Sequence, residues 1–244
     1  MIRLIAFGFL SILFFNTNLS GQGAAFGVKG GVTMAFQKWD NTERDALIGY
    51  HFIGSVETLA DEGEFSMFAQ LGYHTRGSAI RIRSFNYNDI NTGAPRSFGG
   101  STTKYDFYNV GLSAGFKQRF SAGGGNLYYL FGLRGEYNVK NSFSRFKELP
   151  ENIQSFFPSE VGVNDFTFGF IFGGGFEFPL SPYIDATIEL TINPDYTKQY
   201  FQPPGTAYDP YTRNNRPLPE RNIRNNSIEL TVGFRFLRLV EYVE

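Results

Sequence analysis

The sequence predicts an all-β fold: an eight-stranded antiparallel up-and-down transmembrane β-barrel with short periplasmic turns and long extracellular loops. Three observations predict it. Apolar residues alternate with polar or small ones at a period of two in eight separate segments, the pattern of a strand with one apolar face and one wet face. The links between these segments alternate between short and long, which gathers the long ones at one rim. The chain of 244 residues is 42% hydrophobic and 18% aromatic, with 28 Phe and 28 Gly. Its mean hydropathy is nevertheless −0.23, because the apolar residues are interleaved rather than gathered into runs. A helical membrane bundle is thereby excluded, since each helix would need about 20 consecutive apolar residues.

The elements follow in order. Residues 1–22 begin with Met1, Ile2 and Arg3, continue through apolar Leu4 to Phe15 and leave through Asn16, Thr17, Asn18 and Ser20. A basic start, a short apolar core and a small-residue exit are expected of a cleaved signal peptide; the alternative, an uncleaved anchor helix, is short for a bilayer. The barrel domain is then 23–244. Strand 25–37 sets Phe26, Val28, Val32, Met34 and Phe36 against Lys29, Thr33 and Gln37. In 47–58, Ile48, Tyr50, Phe52 and Val56 oppose His51, Ser55 and Glu57, and in 64–77, Phe65, Met67, Leu71 and Tyr73 oppose Ser66, Gln70, His74 and Arg76, with Phe68 the exception. Strand 105–118 sets Tyr108, Val110, Leu112 and Phe116 against Asn109, Ser113 and Lys117. Strand 126–140 sets Leu127, Tyr129, Phe131, Leu133 and Tyr137 against Arg134, Glu136 and Asn138. The last three, 164–178, 183–193 and 225–236, place Thr167, Glu177, Asp185, Thr187, Glu189, Ser227, Glu229, Thr231 and Arg235 opposite faces made of Phe, Ile, Leu and Val. Turns around Asp61-Glu62-Gly63, Gly123-Gly124-Gly125 and Pro179-Leu180-Ser181-Pro182 are short; the links near 38–46, 78–104, 141–162 and 194–224 are long.

A soluble eight-stranded barrel, such as a lipocalin, shares the period but turns its apolar face inward. An eight-stranded interior is barely wide enough for side chains and cannot hold so many Phe, Tyr, Leu and Ile. The apolar face therefore points outward, where only lipid makes it tolerable. The lumen receives Lys29, Arg76, Lys117, Arg134 and Arg235 together with Glu57, Glu136, Glu177, Asp185, Glu189 and Glu229. These nearly cancel, as charges away from water must, so the lumen is expected to be a plugged charge network rather than a pore.

Composition narrows the chemistry. A formal charge of −1 leaves no overall basic excess for nucleic acid. The absence of Cys excludes disulfides, thiolate metal sites and cysteine nucleophiles, and two His leave little for a metal, so no cofactor is expected. The glycine runs Gly27–Gly31, Gly123–Gly125 and Gly173–Gly175 open no helix after a strand, so the phosphate-cradling geometry is missing. His51 and His74 raise the question of a lipid-modifying Ser-His-acid site, with Ser55 and Glu57 as companions. If Leu59 pairs with Glu64, Gly49 faces His74 and His51 lies diagonally; no spacing selects a catalytic set, and a buried hydrogen-bonded pair is the simpler expectation. Arg81 and Arg83, with Arg76 just before, are either solvated loop charges or contacts for lipopolysaccharide phosphates. In the last long link, Tyr208, Tyr211, Arg213 and Arg216 on a Pro-stiffened loop make a candidate partner-contact surface. Residues near Tyr196–Phe201 belong to that surface or to an interfacial aromatic belt.

The opening Phe26-Gly27-Val28-Lys29-Gly30-Gly31-Val32, the eight alternating strands and the closing Ile228-Glu229-Leu230-Thr231-Val232-Gly233-Phe234-Arg235-Phe236 resemble the PorT-like outer-membrane barrels, small OmpA-type eight-stranded barrels. The resemblance covers the chain after the signal stretch. It implies residence in the outer membrane of a Gram-negative bacterium and, through the founding member, an association with type IX protein secretion. It supplies no catalytic or ligand residues. The expected function is that of a non-enzymatic structural or partner-binding subunit, touching outer-membrane lipid, lipopolysaccharide and an envelope protein partner. The alternatives are a lipid-A-modifying enzyme and a surface adhesin that binds through its long loops.

Overall fold

The computed structural model describes residues 23–38, 44–58, 65–89, 92–144, 160–209, 214–218 and 220–238. The stretch 1–22 read as a signal peptide lies outside them. In chain order the strands are β1 (Ala24–Lys38), β2 (Arg44–Asp45), β3 (Leu47–Thr58), β4 (Phe65–Ile82), β5 (Phe85–Asn88), β6 (Pro95–Phe98), β7 (Ser101–Ala122) and β8 (Gly125–Asn141). They continue as β9 (Phe166–Ser181), β10 (Ile184–Pro194), β11 (Tyr200–Gln202), β12 (Gly205–Asp209), β13 (Asn214–Leu218) and β14 (Arg221–Arg238). Eight of them, β1, β3, β4, β7, β8, β9, β10 and β14, pair antiparallel with their successors, and β14 returns to β1 from Ala24↔Arg238 to Lys38↔Arg224. This closed up-and-down ring is the predicted fold, and closure leaves no strand edge unpaired in lipid.

The turn chemistry explains the connectivity. Gly123 and Gly124 both have positive φ, 57° and 89°, between the paired residues Ala122 and Gly125, as a two-residue hairpin loop requires. Gly115 and Gly132 face each other across β7 and β8, where an added Cβ on either would run into the neighbouring strand's backbone. Eight strands can coil this tightly only where such side chains are missing.

Several strands outrun the spans read from alternation. β7 reaches four residues beyond 105–118 at each end, and β4 and β14 continue to Ile82 and begin at Arg221 on the long-link rim. A membrane crossing needs only about 9–11 residues. The surplus on β4, β7 and β14 therefore stands as a wall above the lipid, and the long links begin from it. Those links carry their own structure: β2 pairs with β4, β5 with β6, β11 with β14 and β12 with β13.

The faces divide as the alternation predicts. Phe26, Val28, Val32, Met34 and Phe36 on β1 are exposed, and Lys29, Thr33 and Gln37 between them are buried; β8, β10 and β14 repeat the division. Aromatic residues form two girdles on the outer wall. Tyr50, Tyr73 and Tyr108 stand in a row toward the long links, with adjacent ring centroids 6.3 Å apart. Phe65 stacks on Phe116 at 5.4 Å, and Phe120 lies 5.7 Å from Tyr129, toward the short turns. Aromatic rings at these two levels suit the two interfaces of a bilayer.

Candidate functional site

The lumen holds two ionic layers. Toward the short turns, Lys117 Nζ donates to Glu177 Oε1 at 2.5 Å and to Glu57 Oε2 at 3.4 Å. Arg119 donates from Nε to Glu177 Oε2 at 2.8 Å and from Nη2 to Glu57. Ser66 donates to Glu57 at 2.5 Å and accepts from Arg119 Nη1 at 2.9 Å. Arg235 reaches Asp185 at 2.9 Å, and Lys29 reaches Glu189 at 2.9 Å, where Tyr128 also donates its hydroxyl at 2.8 Å. In this layer Lys29, Lys117, Arg119 and Arg235 balance Glu57, Glu177, Asp185 and Glu189 one for one.

Toward the long links, Arg76 is 0% exposed and forks between Glu136, at 2.7 Å, and Glu229, at 2.8 Å, with a further bond to Ser227. Arg134 bonds Glu136 at 2.7 Å and also pairs with Asp195. Asn109 donates to Glu136 at 2.8 Å. All eleven charged residues assigned to the lumen from alternation lie there, each in at least one ion pair. Arg119 and Asp195 belong with them although the alternation reading stops at 118 and 193. The signal was available, since each continues the inward parity of its strand by one more step.

Phe68, Tyr128, Leu130 and Ile171 pack together inside the lumen, which explains why Phe68 breaks the alternation of β4: it fills the lumen. Above the second layer Tyr105, Phe107, Phe143, Tyr200 and Ile223 form an apolar roof, with Phe143 edge-on to Phe107 at 5.2 Å and to Tyr200 at 5.7 Å. Tyr200 therefore turns inward and is no part of the aromatic belt, whereas Tyr196 is 72% exposed. Gln199 is also buried beneath the roof and accepts from Asn225 at 3.0 Å. A loop segment entering its own barrel was not readable from alternation, because burial there follows where the chain folds back rather than a period.

The two imidazoles meet differently from the sequence expectation. β3 and β4 pair His51 directly with His74, not with a diagonal offset, and the first ladder pair after the turn is Glu57 with Phe68. The register is thus shifted by two residues on β4 from the one a Leu59–Glu64 closure would set; the turn itself lies outside the described residues. The rings stack at 5.8 Å and 16°. His51 Nδ1 lies 3.0 Å from Thr33 Oγ1 and Nε2 lies 2.9 Å from Thr231 Oγ1, while His74 Nδ1 lies 3.0 Å from Glu229. Ser55 and Glu57 are not hydrogen-bonded to either ring; Glu57 belongs to the other layer. Hydroxyl, imidazole and carboxylate do converge here, but His51 is 0% exposed and Glu229 is committed to Arg76.

Outside the lumen, Tyr208 and Arg216 stand on the β12–β13 hairpin, opposite Asn215 and Ala207. Tyr211 and Arg213 lie outside the described residues. Arg76 points into the lumen, so it cannot join Arg83 at the outer surface.

A family model described as the outer membrane protein beta-barrel domain matches residues 7–236. The chain belongs to this family. This outer-membrane β-barrel accordingly resides in the outer membrane of a Gram-negative bacterium and crosses it repeatedly as strands. Among solved structures, the barrel is similar to Ail, the attachment invasion locus protein of Yersinia pestis, in its complex with the heparin analogue sucrose octasulfate (14% identity, 88% of this chain and 99% of that chain, TM-score 0.39). It is also similar to Neisserial surface protein A (12%, 89% and 99%, TM-score 0.41) and to OprG of Pseudomonas aeruginosa (8%, 90% and 98%, TM-score 0.44). No curated protein matches the barrel.

A closed ring of eight strands is about half of the roughly 16 that an open aqueous channel needs, and its lumen holds two layers of buried ion pairs. Reconstituted in a planar bilayer, the barrel is expected to give no large, stable conductance steps; regular steps of nanosiemens size would contradict the filled lumen.

Proposed function

We propose that this barrel is a non-enzymatic, partner-binding subunit of the outer membrane that serves as an accessory of protein secretion. One observation carries the reading: the cluster that brings hydroxyl, imidazole and carboxylate together, Thr33, His51, His74 and Glu229, is buried in the lumen, with His51 and Thr33 fully enclosed. Its groups are committed to one another, His51 to Thr33 and Thr231 and His74 to Glu229, so they serve as an interior brace. What the barrel offers to the outside is its rim, where the β5–β6 and β12–β13 hairpins present backbone and loop surface. The resemblance of the opening and closing strands to PorT-like barrels supports placing that rim in a type IX secretion assembly.

The test is affinity purification from native membranes with the tagged chain, beside a Tyr208→Ala/Tyr211→Ala/Arg213→Ala variant. A defined envelope partner should co-purify with the parent and be depleted from the variant, and deletion of the gene should strip exported proteins from the cell surface. Unchanged partner recovery would remove the contact loop, and normal export with lost adhesion would favour a ligand-binding surface protein. A changed lipid A mass spectrum in a His51→Asn variant with normal barrel yield would instead establish an enzyme.

A further inference from the structure

On the outer wall at the long-link rim, β1 and β14 set Lys38 directly opposite Arg224. Both are exposed and share the outward parity of Phe36, Met34 and Ile228. Like charges facing each other across a ladder weaken it. No carboxylate among the described residues pairs with either one. Next to Arg224 the chain folds back along the wall, and Asn164, Tyr196, Thr197, Lys198, Phe201 and Arg224 line a recess of about 500 Å³.

The recess is held by fixed contacts. Asn164 donates its backbone N–H to Gln199 O at 2.9 Å and its amide Nδ2 to Lys198 O at 2.8 Å. Phe168 N donates to Thr197 Oγ1 at 2.8 Å, and Gln199 N to Ile223 O at 2.8 Å. Lys198 sits with its ammonium 4.5 Å from the Phe201 ring centre and 3.8 Å from Glu220, a loose contact that leaves most of its charge uncompensated. Three cations, Lys38, Lys198 and Arg224, thus gather where the apolar wall meets the wet rim, beside two amphipathic or aromatic rings.

We infer that this recess binds the phosphate of an anionic glycolipid of the outer leaflet. The charges select phosphate. The position selects lipid as its source: below Lys38 and Arg224, and past the outward Asn226 that pairs with Phe36, the outward residues Phe36, Met34 and Ile228 give a wall along which acyl chains can lie, while Tyr196 and Phe201 suit the headgroup level. A bound phosphate would also relieve the Lys38–Arg224 opposition. The inference concerns the lipid-facing wall and does not depend on the partner-binding reading, whose β12–β13 hairpin contributes no residue to the recess lining.

The test uses the full chain folded in a zwitterionic detergent and native mass spectrometry with three probes: bisphosphorylated lipid A, dephosphorylated lipid A and inorganic phosphate. The parent protein should retain lipid A and release the dephosphorylated form. A Lys198→Gln/Arg224→Gln variant should bind lipid A roughly thirtyfold more weakly, as expected for two lost surface cations, and Lys140→Gln, an exposed cation on β8, should bind like the parent. Folding of each variant is checked by heat-modifiable gel mobility, and the single Lys198→Gln variant provides a smaller step if the double variant is unfolded. Equal lipid A retention by parent and double variant would overturn the inference. So would equal retention of the two lipid A forms, or uptake of inorganic phosphate without retention of lipid A.

Discussion

Replacing Arg76 with Met is expected to destabilise the barrel by about 3–5 kcal/mol, the cost of leaving buried charge without its partner. Arg76 is fully enclosed and holds Glu136 and Glu229, two carboxylates contributed by strands far apart in sequence, as well as Ser227. Without the guanidinium, Glu136 keeps Arg134, and Glu229 keeps only His74 and a 3.4 Å contact with Thr33. The loss should appear as a lower urea midpoint for the heat-modifiable folded band in liposomes. The triple variant Arg76→Met/Glu136→Gln/Glu229→Gln should recover much of the loss, because the charges left in the layer, Arg134 and Asp195, pair with each other and no carboxylate stays buried without its cation. A Met variant within about 0.5 kcal/mol of the parent would show that Arg76 is not the tie across the upper layer.

Leu133→Arg is the second large effect, expected at about 2–4 kcal/mol, the cost of a cation at the bilayer midplane on a barrel's lipid face. Leu133 lies at the middle of β8, is 63% exposed in the isolated chain and is flanked across the ladder by Ala114 and Phe170. Val139→Arg, on the same outward face near the end of β8, should cost only about 0–1 kcal/mol. The contrast matters more than either number, since water would charge the two positions alike. Equal costs in reversible unfolding from liposomes would mean that this wall does not face hydrocarbon as described.

Both predictions begin from alternation, which was legible because a strand's side chains change face at every residue and a lipid-exposed wall tolerates no charge. That rule sorted Lys29, Glu57, Glu189 and Glu229 inward and Val28, Leu133 and Ile188 outward without reference to any contact. It stopped short at Arg119 and Asp195, because hydropathy signals the part of a strand that meets lipid and goes quiet where the strand continues into water. The partner choices were beyond it altogether. Arg76 with Glu229, Thr33 with Glu229 and Lys29 with Glu189 join residues more than 150 positions apart. Their meeting depends on register and on the diameter of the closed ring.

The candidate lipid site shows the same division at the surface. Lys38 and Arg224 are ordinary loop-end cations until β14 closes on β1 and sets them face to face. Lys198 joins them only because Gln199 and Tyr200 turn inward and pull the preceding residues onto the wall. The sequence by itself determined the class of fold, the number of strands, the rim that bears the long links and the face each residue shows, because these follow from local periodicity in a two-solvent environment. The tertiary structure alone decided which charges pair, how the lumen is layered and roofed, and where cations gather on the rim, because those depend on distances between strands that no local pattern encodes.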